Sequence, residues 1–132
     1  MSQERITVQR GRDERGAAVV EFALILPLLV LFVFGIVEFG RAYSARIELT
    51  GAVREGARAV ALGKDGVAAT QAGAPGLKPS QITVTTVPCP TVSPPPDAKA
   101  TVEARYPFEY TIPLFRTGTW MLKATGVMRC GG

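Results

Sequence analysis

Residues 17–37 form a twenty-one-residue apolar run broken by a single charge, Glu21. As a helix this run is about 31 Å long, enough to cross the hydrocarbon core of a bilayer. A carboxylate inside such a segment is costly unless something answers it. In a chain of 132 residues little more than half remains for anything else. The remainder is one small domain with a modest core, which gains from a staple or a partner.

Three readings compete for residues 17–40. A secretory signal would share the basic start and apolar centre, with a cut near Ala42-Tyr43-Ser44-Ala45. Glu38 and Arg41 just upstream, and helical sequence continuing beyond, count against it. A buried helix of a soluble protein needs more apolar surface than the rest of the chain offers. A retained anchor fits best. Pro27, Gly35 and Gly40 are compatible with it, because neighbours in a membrane re-satisfy the backbone. The arginines at 5, 10, 12 and 15 favour a basic cytoplasmic leader over residues 1–16. Arg41, Arg46, Arg54 and Arg58 after the run weaken an argument from charge alone. The orientation expected, amino terminus inside, rests mainly on the exported look of the carboxy-terminal region.

From Ala42 to about Leu62 no proline intervenes, and Ala45, Leu49, Ala52, Gly56 and Ala59 recur every three or four residues. That stripe predicts an extramembrane continuation of the helix over 41–62, with Gly63 closing it. Residues 67–74 read as a short helix. Residues 82–87 read as a strand through their β-branching. A second strand starts near Ala98, with Val102, Ala104 and Tyr106 on one face and Pro107 marking its end or an edge. A third covers 119–128, with Trp120, Leu122 and Ala124 sharing a face that reads as core. Phe108, Tyr110, Ile112, Pro113, Leu114 and Phe115 form an apolar cluster between these strands, read first as core closure and second as a surface for a neighbouring subunit. The expected architecture is α+β: a long helix, its first part in the membrane over 17–40, packed on a small antiparallel sheet of three or four strands within an extracytoplasmic domain over 63–132.

Little in the chain supports chemistry. It has no histidine, which removes the commonest acid–base group and ordinary zinc sites. Ser44, Ser80 and Ser93 have no base to activate them. No phosphate loop or metal-ligand cluster is legible, so no cofactor and no metal are expected. The net charge of +4 is spread out, with no basic block for nucleic acid. Cys89 and Cys130 are the two cysteines. A disulfide between them would stabilise by roughly 3–4 kcal/mol on the chain-entropy account; two unpaired small hydrophobes is the alternative.

Gly16-Ala17-Ala18-Val19-Val20-Glu21-Phe22, followed by Leu26-Pro27-Leu28-Leu29, resembles the start of the TadE/TadG-like family. Gly35-Ile36-Val37-Glu38-Phe39-Gly40-Arg41-Ala42 and Val53-Arg54-Glu55-Gly56-Ala57-Arg58 are similar to its downstream segment. These are pilin-like minor subunits, or pseudopilins, of the tight-adherence (Flp) pilus system, and the short chain favours the TadE-like branch. The resemblance implies a pilin-like fold and a non-enzymatic role in pilus assembly at the bacterial inner membrane. It also implies a prepilin peptidase cutting between Gly16 and Ala17, and other pilin-like subunits as partners. Glu21, with Phe22 beside it, would then be the fifth residue of the mature chain. There it would meet a neighbour's new amino terminus, two charges in lipid relieving one another's cost. A membrane-anchored envelope binding or scaffold protein, neither processed nor assembled, is the alternative from a different class.

Overall fold

The computed structural model describes residues 10–113 and 115–131. The leader's Arg5 and Glu4, and Leu114 of the apolar cluster, lie outside the described residues. One helix, α1 (Arg10–Ala61), takes up 52 residues and is about 78 Å long. Its apolar first half is exposed along its length. Burial begins at Ala45, and Leu49, Ala52, Val53, Gly56, Ala57 and Val60 follow on one face. That stripe is wider than the sequence spacing implies, with Val53, Ala57 and Val60 added, while Ala59 at its edge is only half-buried. Gly63, at φ +71°, ends the helix. Its N–H donates to Val60 O and that of Lys64 to Ala59 O, at 3.0 and 2.8 Å, which satisfies two carbonyls the helix would otherwise leave open.

The chain then folds back along the carboxy-terminal half of α1. Asp65 caps α2 (Gly66–Ala72), its Oδ1 accepting from the N–H groups of Val67 and Ala68. Three glycines let α2 approach closely. A Cβ on Gly56 would run into Thr70 Oγ1, one on Gly66 into Val60, and one on Gly73 would lie 3.0 Å from Ala52 Cα. After a 3-10 turn at Pro79–Gln81 come β1 (Thr83–Val87), β2 (Lys99–Ile112) and β3 (Arg116–Arg129). They form an antiparallel meander in the order β1-β2-β3. Ala100, Val102, Ala104, Tyr106 and Phe108 of β2, with Leu122 and Ala124 of β3, bury their face with the α1 stripe. Fold class and strand number are those expected: α+β, with three strands.

Pro107 does not end its strand. Ala98 O accepts from Cys130 N at 2.9 Å, so even-numbered β2 residues direct their backbone groups to β3 and odd-numbered ones to the β1 side. β1 stops opposite Arg105. The N–H that proline lacks would therefore have pointed at an empty edge, where its loss costs no ladder bond. β2 and β3 run on together as a two-stranded hairpin, Pro107 pairing with Met121 and Ile112 with Arg116.

Candidate assembly and membrane interface

Gly16, Ala17, Glu21 and Phe22 all lie on the unbroken, exposed first half of α1. The helix starts upstream of Gly16, so the Gly16–Ala17 bond is inside regular helix rather than at its entry. Ala17 and Glu21 are four residues apart and therefore stacked one turn apart on the same face. Glu21 makes no hydrogen bond or ion pair among the described residues, and Phe22 beside it is exposed. Around them stand Val19, Val20, Leu24 and Ile25, also exposed.

The helix from Arg15 to Ala61 contains a window apolar enough to cross a membrane, none of it buried by the rest of the chain. At the carboxy-terminal end of the apolar run stands a second polar group, Glu38. The sequence alone favours a freely hydrated carboxylate paired with Arg41. The pair is formed, Arg41 Nη1 donating to Glu38 Oε1 at 2.8 Å. Yet the Glu38 side chain is only 17% exposed, and its Oε2 is buried without a hydrogen-bond partner. The Arg41 guanidinium also sits 5.6 Å from the centroid of the Phe108 ring, a cation–π contact that helps hold the hairpin to the helix.

What buries Glu38 is the far half of the β2–β3 hairpin. Gly35, Phe39 and Ala42 of α1 face Phe108, Tyr110, Ile112 and Trp120 across a cleft of about 440 Å³, with Glu38 in its wall. Among the described residues of the apolar cluster, Phe108 is buried in the core and Tyr110 packs against it. Tyr110 is half-buried, with its ring lying against Gly118 where a Cβ would collide, and Ile112 and Phe115 are exposed. Trp120 does point to the helix side, as its alternation with Leu122 and Ala124 requires. It is nonetheless 62% exposed, because hairpin and helix stand apart at that level. Further down, Pro113 and Phe115 at the turn share a cleft with Leu24, Pro27, Leu28 and Leu31. This extension of the sheet alongside the apolar helix was not legible in the sequence. The run from Phe108 to Phe115 was its one signal, and it read more naturally as core.

At the other end of the sheet Cys89 and Cys130 form a disulfide, Cα–Cα 5.8 Å. It joins the chain just after β1 to the chain just after β3.

Compared with known families, residues 16–58 match the model described as TadE-like protein. The matched stretch opens at Gly16 and closes at Arg58, so it covers the exposed apolar helix and most of the buried stripe, and leaves out the sheet. No curated protein and no solved structure matches the chain. The match, on a chain with one membrane-length helix near its amino terminus, points to a single-pass membrane component associated with a Tad pilus.

Proposed function

We propose that this chain, TadE-like over residues 16–58, is a non-enzymatic minor pseudopilin that serves in assembly of a Tad (Flp) adhesive pilus or a related secretion apparatus. Residues 1–16 are a cytoplasmic leader, residues 17–40 span the inner membrane, residues 41–62 continue the helix outside, and residues 63–132 make up the extracytoplasmic domain. A prepilin peptidase removes the leader between Gly16 and Ala17. The observation that carries this reading is Glu21: an exposed carboxylate with no hydrogen-bond or ion-pair partner among the described residues, on an apolar helix, one turn from Ala17.

The physics of the cut end supports the assignment. Cleavage leaves the first four N–H groups of the new helix without intrahelical partners and adds a terminal ammonium. A carboxylate one turn away is favoured by the helix dipole and is positioned to meet a second ammonium from a neighbouring subunit. In lipid, neither charge is stable alone, so their pairing fixes axial register between copies. Phe22 contributes apolar contact at the same level. The disulfide is consistent with an oxidising compartment for the sheet. Other pilin-like subunits, Tad assembly proteins and the lipid bilayer are the partners; nucleic acid is not.

An uncleaved anchor for an envelope scaffold is the competing reading, favoured by the helix that continues unbroken through Gly16–Ala17. Intact-mass and amino-terminal analysis of the membrane protein, with and without its host's prepilin peptidase, separates the two. The expected result is a new terminus at Ala17 that appears only with the peptidase. A leader that persists in the peptidase's presence would rule out the pseudopilin assignment.

A further inference from the structure

The β2–β3 hairpin runs lengthwise down α1, and its registration against the helix is visible at three levels. A Cβ on Gly126 would meet Val53, Trp120 lies across the cleft from Phe39, and Phe115 lies across from Leu24–Leu31. From Phe39 to Leu28 the helix descends about 16 Å, all of it along the apolar run. The hairpin therefore extends beside the segment read as membrane-spanning. Its side chains there suit that setting. Phe115 is 73% exposed, and Trp120, Met121 and Ile112 are exposed as well. A solvated strand end has no reason to show such a surface, and it is continuous with the exposed leucines and phenylalanines of α1.

We propose that the distal half of this hairpin is a second membrane-contacting element, seated in the outer leaflet beside the span. Trp120, with Phe39, Phe108 and Tyr110, lies at the headgroup boundary, where amphipathic rings concentrate. The turn with Pro113 and Phe115 reaches the acyl chains. Glu38 and Arg41 stand at the same boundary as Trp120, Glu38 covered by the hairpin and Arg41 exposed to the headgroups. The free edges of the hairpin limit its depth, because hydrocarbon cannot satisfy open backbone groups. Pro107 removes one such donor at the start of the two-stranded part. Arg116, next to the turn, has a long apolar stem along which its guanidinium rises toward the headgroups. The proposal rests on the reading of α1 as a membrane span.

Trp120 is the sole tryptophan, so the unmodified protein carries its own depth probe. Full-length protein is reconstituted at low protein-to-lipid ratio in vesicles of phosphatidylcholine brominated either high on the acyl chain or near its end. Trp120 is expected to show blue-shifted emission, strong quenching by the high bromines, weak quenching by the deep ones and little by aqueous acrylamide. A tryptophan introduced by Phe115→Trp in a Trp120→Phe background is expected to shift its quenching toward the deeper bromines. Phe32→Trp in the same background reports the span independently. If Phe32→Trp is quenched by lipid while the probes at 115 and 120 respond only to acrylamide, the hairpin proposal fails and the span stands. If Phe32→Trp also responds only to acrylamide, the span reading itself fails. Protection of Trp120 from both quenchers that disappears on further dilution in lipid would assign the surface to a second copy of the chain and overturn the proposal.

Discussion

Gly126 and Leu49 show how little slack the interface between sheet and helix has. A Cβ on Gly126 would overlap the backbone carbonyl of Val53, which belongs to a helix and cannot step aside as a side chain would. Gly126→Ala is therefore expected to destabilise by about 1–3 kcal/mol, read as a lower melting temperature in detergent. Leu49 is among the largest fully buried side chains, and Leu49→Ala should cost about 2–5 kcal/mol by the same melt. Glu21 is the opposite case, since it is exposed and makes no hydrogen bond or ion pair among the described residues. Glu21→Ala should leave the melt within about 0.5 kcal/mol while blocking assembly scored by piliation of the host. Normal piliation in that variant would remove Glu21 from the assembly mechanism.

At the scale of elements, the disulfide and Glu48 tie together parts that secondary structure leaves loose. Glu48 Oε1 accepts from Gly76 N at 2.6 Å, anchoring the loop between α2 and β1 on the helix. With its cysteines 41 positions apart in sequence, the disulfide is worth up to about 4 kcal/mol on the chain-entropy account. Cys89→Ser/Cys130→Ser should therefore melt well below the parent, and reductant should move the parent, but not the variant, toward that value. The sequence disclosed these elements unevenly, for physical reasons. Gly63, the small-residue stripe and the alternation of Val102, Ala104 and Tyr106 are local signals, and local rules set them. Of the two readings of Pro107, strand end or edge, the edge holds, because proline's cost in a strand depends on whether its edge is occupied, and β1's length decides that. Trp120 was placed on the correct face, but burial requires something opposite, and the divergence of helix and hairpin at Gly35–Ala42 is a tertiary fact. For the same reason the Gly16–Phe22 motif was readable and the Glu38 cleft was not: one is contiguous in sequence, the other joins residues about seventy positions apart.

Taken whole, the molecule is a long rod with its core confined to one end. From Ala45 outward α1 is packed against α2 and the sheet, whereas the Ala17–Val37 run is an exposed apolar surface that needs lipid or other subunits. The packed core and the exposed apolar run are thereby separated in space, so that on the proposed reading a change at Glu21 would alter assembly without altering folding. The disulfide adds a mechanical property. A pull applied beyond Cys130 meets a covalent bridge to Cys89 before it reaches the hydrogen bonds of β3. Those bonds would otherwise open one at a time from the strand's end. Load passes instead to both outer strands of the sheet at once, so the domain resists tension as a clamped unit rather than as a seam that can be unpicked.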